Sequence, residues 1–206
     1  MKRKQVFQWV AVGLVTALSS GCVTVEMFKN QLAYEPVPMR SRVEARVSLD
    51  VTHTVTPAAQ EVWRSWGNGP ETIGNWELAV RGVIIDDVVK SGLFASAQAD
   101  GVGTFDYLVR IRTQDLRTPD RFSAELQVCD WGSKAVVASY KQEQPMDGSR
   151  FEAFQAVIQN VMARLKADVL ADAAKGNFLQ HGGSLPQSPD QHAPPTQQSP
   201  ELQPQI

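Results

Sequence analysis

A chain that catalyses needs a nucleophile, acid, base or metal-ligand set whose side chains converge, and few residues of this sequence are candidates. The closest paired carboxylates are Asp86-Asp87. Adjacent helix positions point about 100° apart, so the two do not converge as the acids of a glycosidase do, and they read as a solvated helix edge. Ser65, Ser91 and Ser149 lack the Gly-x-Ser-x-Gly setting of a nucleophile elbow. Gly101-Val102-Gly103 is a turn with neither the lysine nor the helix of a phosphate loop. His53, His181 and His192 are scattered, and no zinc or iron spacing can be drawn from them. The sequence predicts no enzyme, no cofactor and no metal.

Binding chemistry is better represented. Arg110, Arg112, Arg117 and Arg121 cluster in sequence. On a strand Arg110 and Arg112 share a face, where Glu125 can pair across the sheet. That face reads first as solvated and second as a place where an acidic partner or anionic lipid docks. Trp63 and Trp66 lie one helical turn apart beside a glycine-rich loop. They read either as the edge of a core or as an aromatic docking patch, since tryptophan is favoured at interface hot spots.

Covalent modification is the third chemistry, and it points to Cys22. Lys2, Arg3 and Lys4 form a charged leader, Val6 to Leu18 is an apolar stretch interrupted by Gln8, and Ser19-Ser20-Gly21 are small. The apolar run is shorter than the roughly 20 residues that span a bilayer, so the leader reads as an export signal. Leu18-Ser19-Ser20-Gly21-Cys22 resembles the bacterial lipobox, with its leucine four positions before the cysteine where the usual spacing is three. The resemblance implies that Cys22 carries diacylglycerol and palmitate-type acyl chains and becomes the N-terminus. Two or three chains, at about 0.8 kcal/mol per buried CH₂, anchor a protein where one does not. Val23 follows the cysteine, rather than the aspartate of an inner-membrane retention signal. The expected location is the outer membrane, less readily the inner, with the domain facing the periplasm. Cys129 then has no intrachain partner and reads as buried and inert. Without Lys2, Arg3 and Lys4, the 20 basic residues fall to 17 against 22 acidic, a net charge of −5. That balance argues against nucleic acid as a partner.

Residues 22–40, with Pro36 and Pro38, read as an acylated cysteine and extended tether, and residues 41–176 as one domain. Val43, Ala45, Val47, Leu49 and Val51 alternate with polar residues, a half-buried strand. Ala58 to Trp66 fits a short helix before a loop marked by Gly67, Gly69 and Gly74. Trp76, Val80, Val83, Ile84 and Val88 predict a helix capped by Asn75 and stopped at Gly92. Leu93 to Ala99 fits a short strand, and Phe105–Ile111, Phe122–Val128 and Ala135–Gln142 an antiparallel meander. Ser149 and Glu152 fit a capping box opening a last helix, whose stripe includes Phe154, Ile158, Met162, Leu165 and Val169. Residues 177–206, rich in Pro, Gln and Ser, read as disordered. The expected fold is α+β, an antiparallel sheet of four to five strands with two helices on one face, in the order β-α-β-β-β-α.

Val88-Val89-Lys90-Ser91-Gly92-Leu93-Phe94 followed by Phe105-Asp106-Tyr107-Leu108-Val109 is similar to a run in small envelope lipoproteins of the ABC-transport auxiliary, peptidoglycan-synthase-activator and curli-secretion types. The likeness covers residues 43–170 in element order, and no functional residue carries over. It implies a membrane-anchored accessory protein that docks on an envelope transport or assembly complex. The alternative is a carrier or chaperone for a lipid or other apolar ligand, held between sheet and helices.

Overall fold

The computed structural model describes residues 24–65, 67–99, 101–117, 120–146 and 151–177. The leader, Cys22, Trp66, the Ser149 cap and the C-terminal segment from residue 178 lie outside the described residues. The elements are α1 (Val25–Leu32), β1 (Val43–Val55), α2 (Pro57–Ser65), α3 (Pro70–Ser91), β2 (Phe94–Ala99), β3 (Tyr107–Arg117), β4 (Asp120–Asp130), β5 (Val136–Pro145) and α4 (Phe151–Ala174).

Five strands form one sheet in the order β2-β1-β3-β4-β5. The expected meander is present, with β3, β4 and β5 antiparallel. The sheet as a whole is mixed, because β1 runs parallel to both β2 and β3. This corrects the all-antiparallel expectation. Alternation of apolar residues fixes which face is buried but says nothing about strand direction: β2 comes back parallel after the helical crossover, and β3 after a short connection with no helix in it. The two edges of β1 serve different neighbours: Val43–Leu49 pair with β2 and Val47–Val55 with β3, so that Val47–Leu49 are paired on both sides. Residues 101–106 carry the chain from one edge of β1 to the other, and Asp106 bonds the Arg46 backbone in both directions.

Among the described residues, all helices with sheet contacts pack on one face, and there are four helices rather than two. α3 lies over β1 and β2, α4 over β4 and β5, and α1 fills the space between α3 and α4. α1 occupies the stretch expected to be extended tether. Thr24 caps it through its hydroxyl, and Phe28 and Leu32 are buried. An eight-residue helix is marginal alone, so the burial of these two side chains holds it. From α1 the chain runs beside the end of α3, where Met39 donates to Ser91, before entering β1.

α3 begins at Pro70, one turn before the expected cap. Proline is favoured in the first helical turn, and the buried stripe reaches back from Trp76 to Ile73. That packing outweighs the roughly 1 kcal/mol cost of an interior glycine, so Gly74 is helical and Asn75 is no cap. Gly92 ends the helix as expected, at φ +69°. The core between sheet and helices is continuous, with Val47, Ile84, Ile111, Leu126, Ile158 and Leu165 fully buried.

Candidate functional site

The alternation of β1 and β3 continues past the apolar residues and turns three polar side chains inward: His53, Thr113 and Asp115. The Thr113 hydroxyl lies 3.3 Å from the Thr52 carbonyl and 2.9 Å from His53 Nδ1. If the hydroxyl donates to Thr52, His53 carries its proton on Nδ1. His53 Nε2 is 3.5 Å from Asp115 Oδ2, which also accepts the Trp76 indole N–H at 3.0 Å. A carboxylate, imidazole and hydroxyl in series is the order of a nucleophilic triad. Here all three are sealed, with Thr113, His53 and Asp115 exposing 1%, 7% and 3%. The hydroxyl faces the Thr52 backbone carbonyl. The group ties β1, β3 and α3 together. Sequence reasoning missed it by ending β1 at Val51; carrying the alternation two residues further places His53 inside.

Aromatic rings lead from this cluster to the surface. Phe122 lies 6.1 Å from His53 and 5.6 Å from Phe154, which packs edge-on to Trp76 at 4.7 Å. Trp76 meets Phe28 and Trp63, each at 5.3 Å, and Phe151 at 6.0 Å. Trp63 is thus half-buried against the core, the arrangement of a core edge. Phe151 is the exposed member at 37%.

Asp86 and Asp87 part as adjacent helix positions should, with one correction. Asp86 is the expected solvated edge, 3.2 Å from Lys29 and 3.3 Å from Lys90. Asp87 is buried and meets Lys166 of α4 at 2.7 Å. The Tyr34 phenol lies in the same place, and its ionisation is pushed far up by burial and then by the Asp87 carboxylate.

The sheet face away from the helices is polar. Arg110 Nε is 4.0 Å from Asp50, and Arg112 stands opposite Glu125 in register, as expected. Glu125 Oε1 accepts from Gln127 and Ser139. Lys141, and after it Arg121, flank Glu143 and hold its carboxyl below the usual range. A groove of about 610 Å³ opens between the C-terminal half of β1 and α3, lined by Asp50, Glu71, Glu77 and Arg81 with Leu78. Arg81 and Glu77 bond the Val51 carbonyl and the Val55 N–H on that strand edge. Cys129 is fully buried in β4. Among the described residues no helix is long and apolar enough to cross a membrane, and no three His, Cys, Asp or Glu side chains form a metal-binding group.

No family model and no curated protein matches this chain. Among solved structures, it is similar to a Xanthomonas campestris protein of the DUF330 family at 10% identity and TM-score 0.40, covering 70% of this chain and 93% of that one. A Helicobacter pylori homologue of a neuraminyllactose-binding hemagglutinin matches at 7% identity and TM-score 0.39, covering 72% and 98%. The PelC dodecamer from Paraburkholderia phytofirmans matches at 12% identity and TM-score 0.36, covering 63% and 92%. At such TM-scores these likenesses carry no argument about function.

Proposed function

We propose that this chain is a lipid-anchored accessory protein of a bacterial envelope, acylated at Cys22, that binds another envelope protein rather than catalysing a reaction. The observation that carries the reading is the charged, apolar and small-residue leader ending at Cys22, directly ahead of a folded domain. The anchoring membrane is the outer membrane, by the residue that follows the cysteine. The helix-free sheet face, with Arg110 and Arg112 among Asp50 and Glu125, is the docking surface on this reading. Its charges are half-exposed and arranged on rigid strands, which suits selective pairing with a complementary partner. A carrier function is less well supported. The space between sheet and helices, where an apolar ligand belongs, is filled by fully buried side chains, and the groove beside β1 lies outside it with Asp50, Glu71, Glu77 and Arg81 in its lining.

The test is brief crosslinking in cells, purification of the membrane form, and mass spectrometry of the N-terminal peptide and its co-purifying proteins. Acyl mass on Cys22 with one enriched envelope complex is the expected result. An unmodified Cys22 without a partner would remove the reading.

A further inference from the structure

We propose that the end of the domain bearing Trp63 and Phe151 is apposed to the membrane that holds Cys22, so that the fold itself sets the orientation of the domain on the bilayer. The inference rests on the acylation of Cys22. Only Val23 separates that cysteine from Thr24, the cap of α1. Consecutive Cα atoms are 3.8 Å apart, so the anchor lies within about 8 Å of the start of a docked helix. There is no slack for the domain to turn over or stand away from the head groups.

The fold determines which surface this is. α1 enters at the end of the domain where β1 finishes: Phe28, in its first turn, lies 6.4 Å from Trp63 and 6.0 Å from Phe151. The N-terminal half of β1, beside Arg46 and Asp106, carries the 101–106 connection with Val102 99% exposed. An anchor at Thr24 therefore turns Phe151 and the edge of Trp63 towards the lipid and Val102 away from it. Aromatic rings with one apolar and one wet side are favoured at head-group depth. Among the described residues, Glu26 and Glu152 are exposed in the first turns of α1 and α4, and Glu61 and Arg64 are exposed on α2. That balance keeps the contact shallow and suits a zwitterionic lipid surface better than an anionic one.

The experiment uses the acylated full chain carrying either Glu152→Cys or Val102→Cys, each labelled with an environment-sensitive fluorophore. Both sites are exposed, acylated Cys22 has no free thiol, and buried Cys129 stays native. The proteins are placed in phosphatidylcholine–phosphatidylethanolamine vesicles containing a lipid spin-labelled near the head group. The expected result is quenching several-fold stronger at position 152 than at 102, reduced when phosphatidylglycerol is added. Equal quenching with acyl mass on the N-terminal peptide would overturn the apposition and leave the anchor standing. An unmodified Cys22 would overturn both.

Discussion

Lys166 Nζ sits 2.7 and 2.9 Å from the two carboxylate oxygens of Asp87, with both side chains at most 5% exposed. The pair joins α3 to α4 across a short direct interface, beneath the chain that leaves α1. A buried pair of this kind contributes little over apolar residues of the same shape, yet breaking it strands a charge at a cost of about 3–5 kcal/mol. Lys166→Met is therefore expected to lose about that much in urea unfolding. The double variant Asp87→Leu with Lys166→Met is expected to recover most of it. A double variant as unstable as the single one would mean that the pair contributes net attraction.

The Tyr140 hydroxyl donates to Asp172 at 2.8 Å, fastening β5 to the last turn of α4. This hydrogen bond, with Lys175 helping, holds the Asp172 carboxyl below its ordinary value. A carboxylate whose folded pKa is depressed stabilises the fold above its unfolded value, about 3.9. That contribution is lost as pH falls through the folded value. Tyr140→Phe is expected to raise the Asp172 midpoint in a carbon-detected NMR titration and to flatten the acid limb of stability against pH. An unmoved midpoint would assign the shift to Lys175.

These two contacts mark where the sequence could and could not be read. Period-2 alternation placed β1, β3, β4 and β5, because a half-buried strand must alternate whatever its neighbours. Direction was not legible in that pattern, since β1 is parallel to a strand on each of its two edges. α1 was hidden because its eight residues bury only Phe28 and Leu32, too few for a periodic signal. Asp87 looked like its neighbour Asp86; only the partner, Lys166, lying 79 residues away, distinguishes them. Trp63 was legible as one of two options, and its ring neighbours come from Phe28 and Trp76, on helices whose packing no local pattern predicts.

Trp63 bears on how docking is tested. Truncation of a fully buried aromatic costs about 3–5 kcal/mol. For the half-buried Trp63, Trp63→Ala is expected to cost about 2 kcal/mol, roughly half that range. Loss of a complex in that variant would report on the fold as much as on an interface. Trp63→Phe keeps an aromatic ring against Phe28 and Trp76 and is expected to stay within about 1 kcal/mol of the native chain in thermal unfolding. Destabilisation of Trp63→Phe as large as that of Trp63→Ala would show that the wider indole ring fills space a phenyl ring cannot.

The docking surface is best tested where the fold is indifferent to it. Arg110 and Arg112 lie on the helix-free face of β3, with Arg110 near Asp50 at 4.0 Å and Arg112 exposed opposite Glu125. Surface pairs of this kind contribute about 0–1 kcal/mol, so Arg110→Glu with Arg112→Glu is expected to lower stability by about 1 kcal/mol or less. Reversing two charges on a recognition face opposes a partner by like-charge contact, which weakens specific binding far more than the fold. The double variant is therefore expected to fold, reach the membrane and keep acylated Cys22 while losing most of its crosslinked partner. Asp50→Lys, placed on the same face with the opposite change of sign, separates an acidic partner from a basic one: it should strengthen binding to the former and weaken the latter. A double reversal that leaves the crosslinked complex intact would move the docking surface off this face of the sheet.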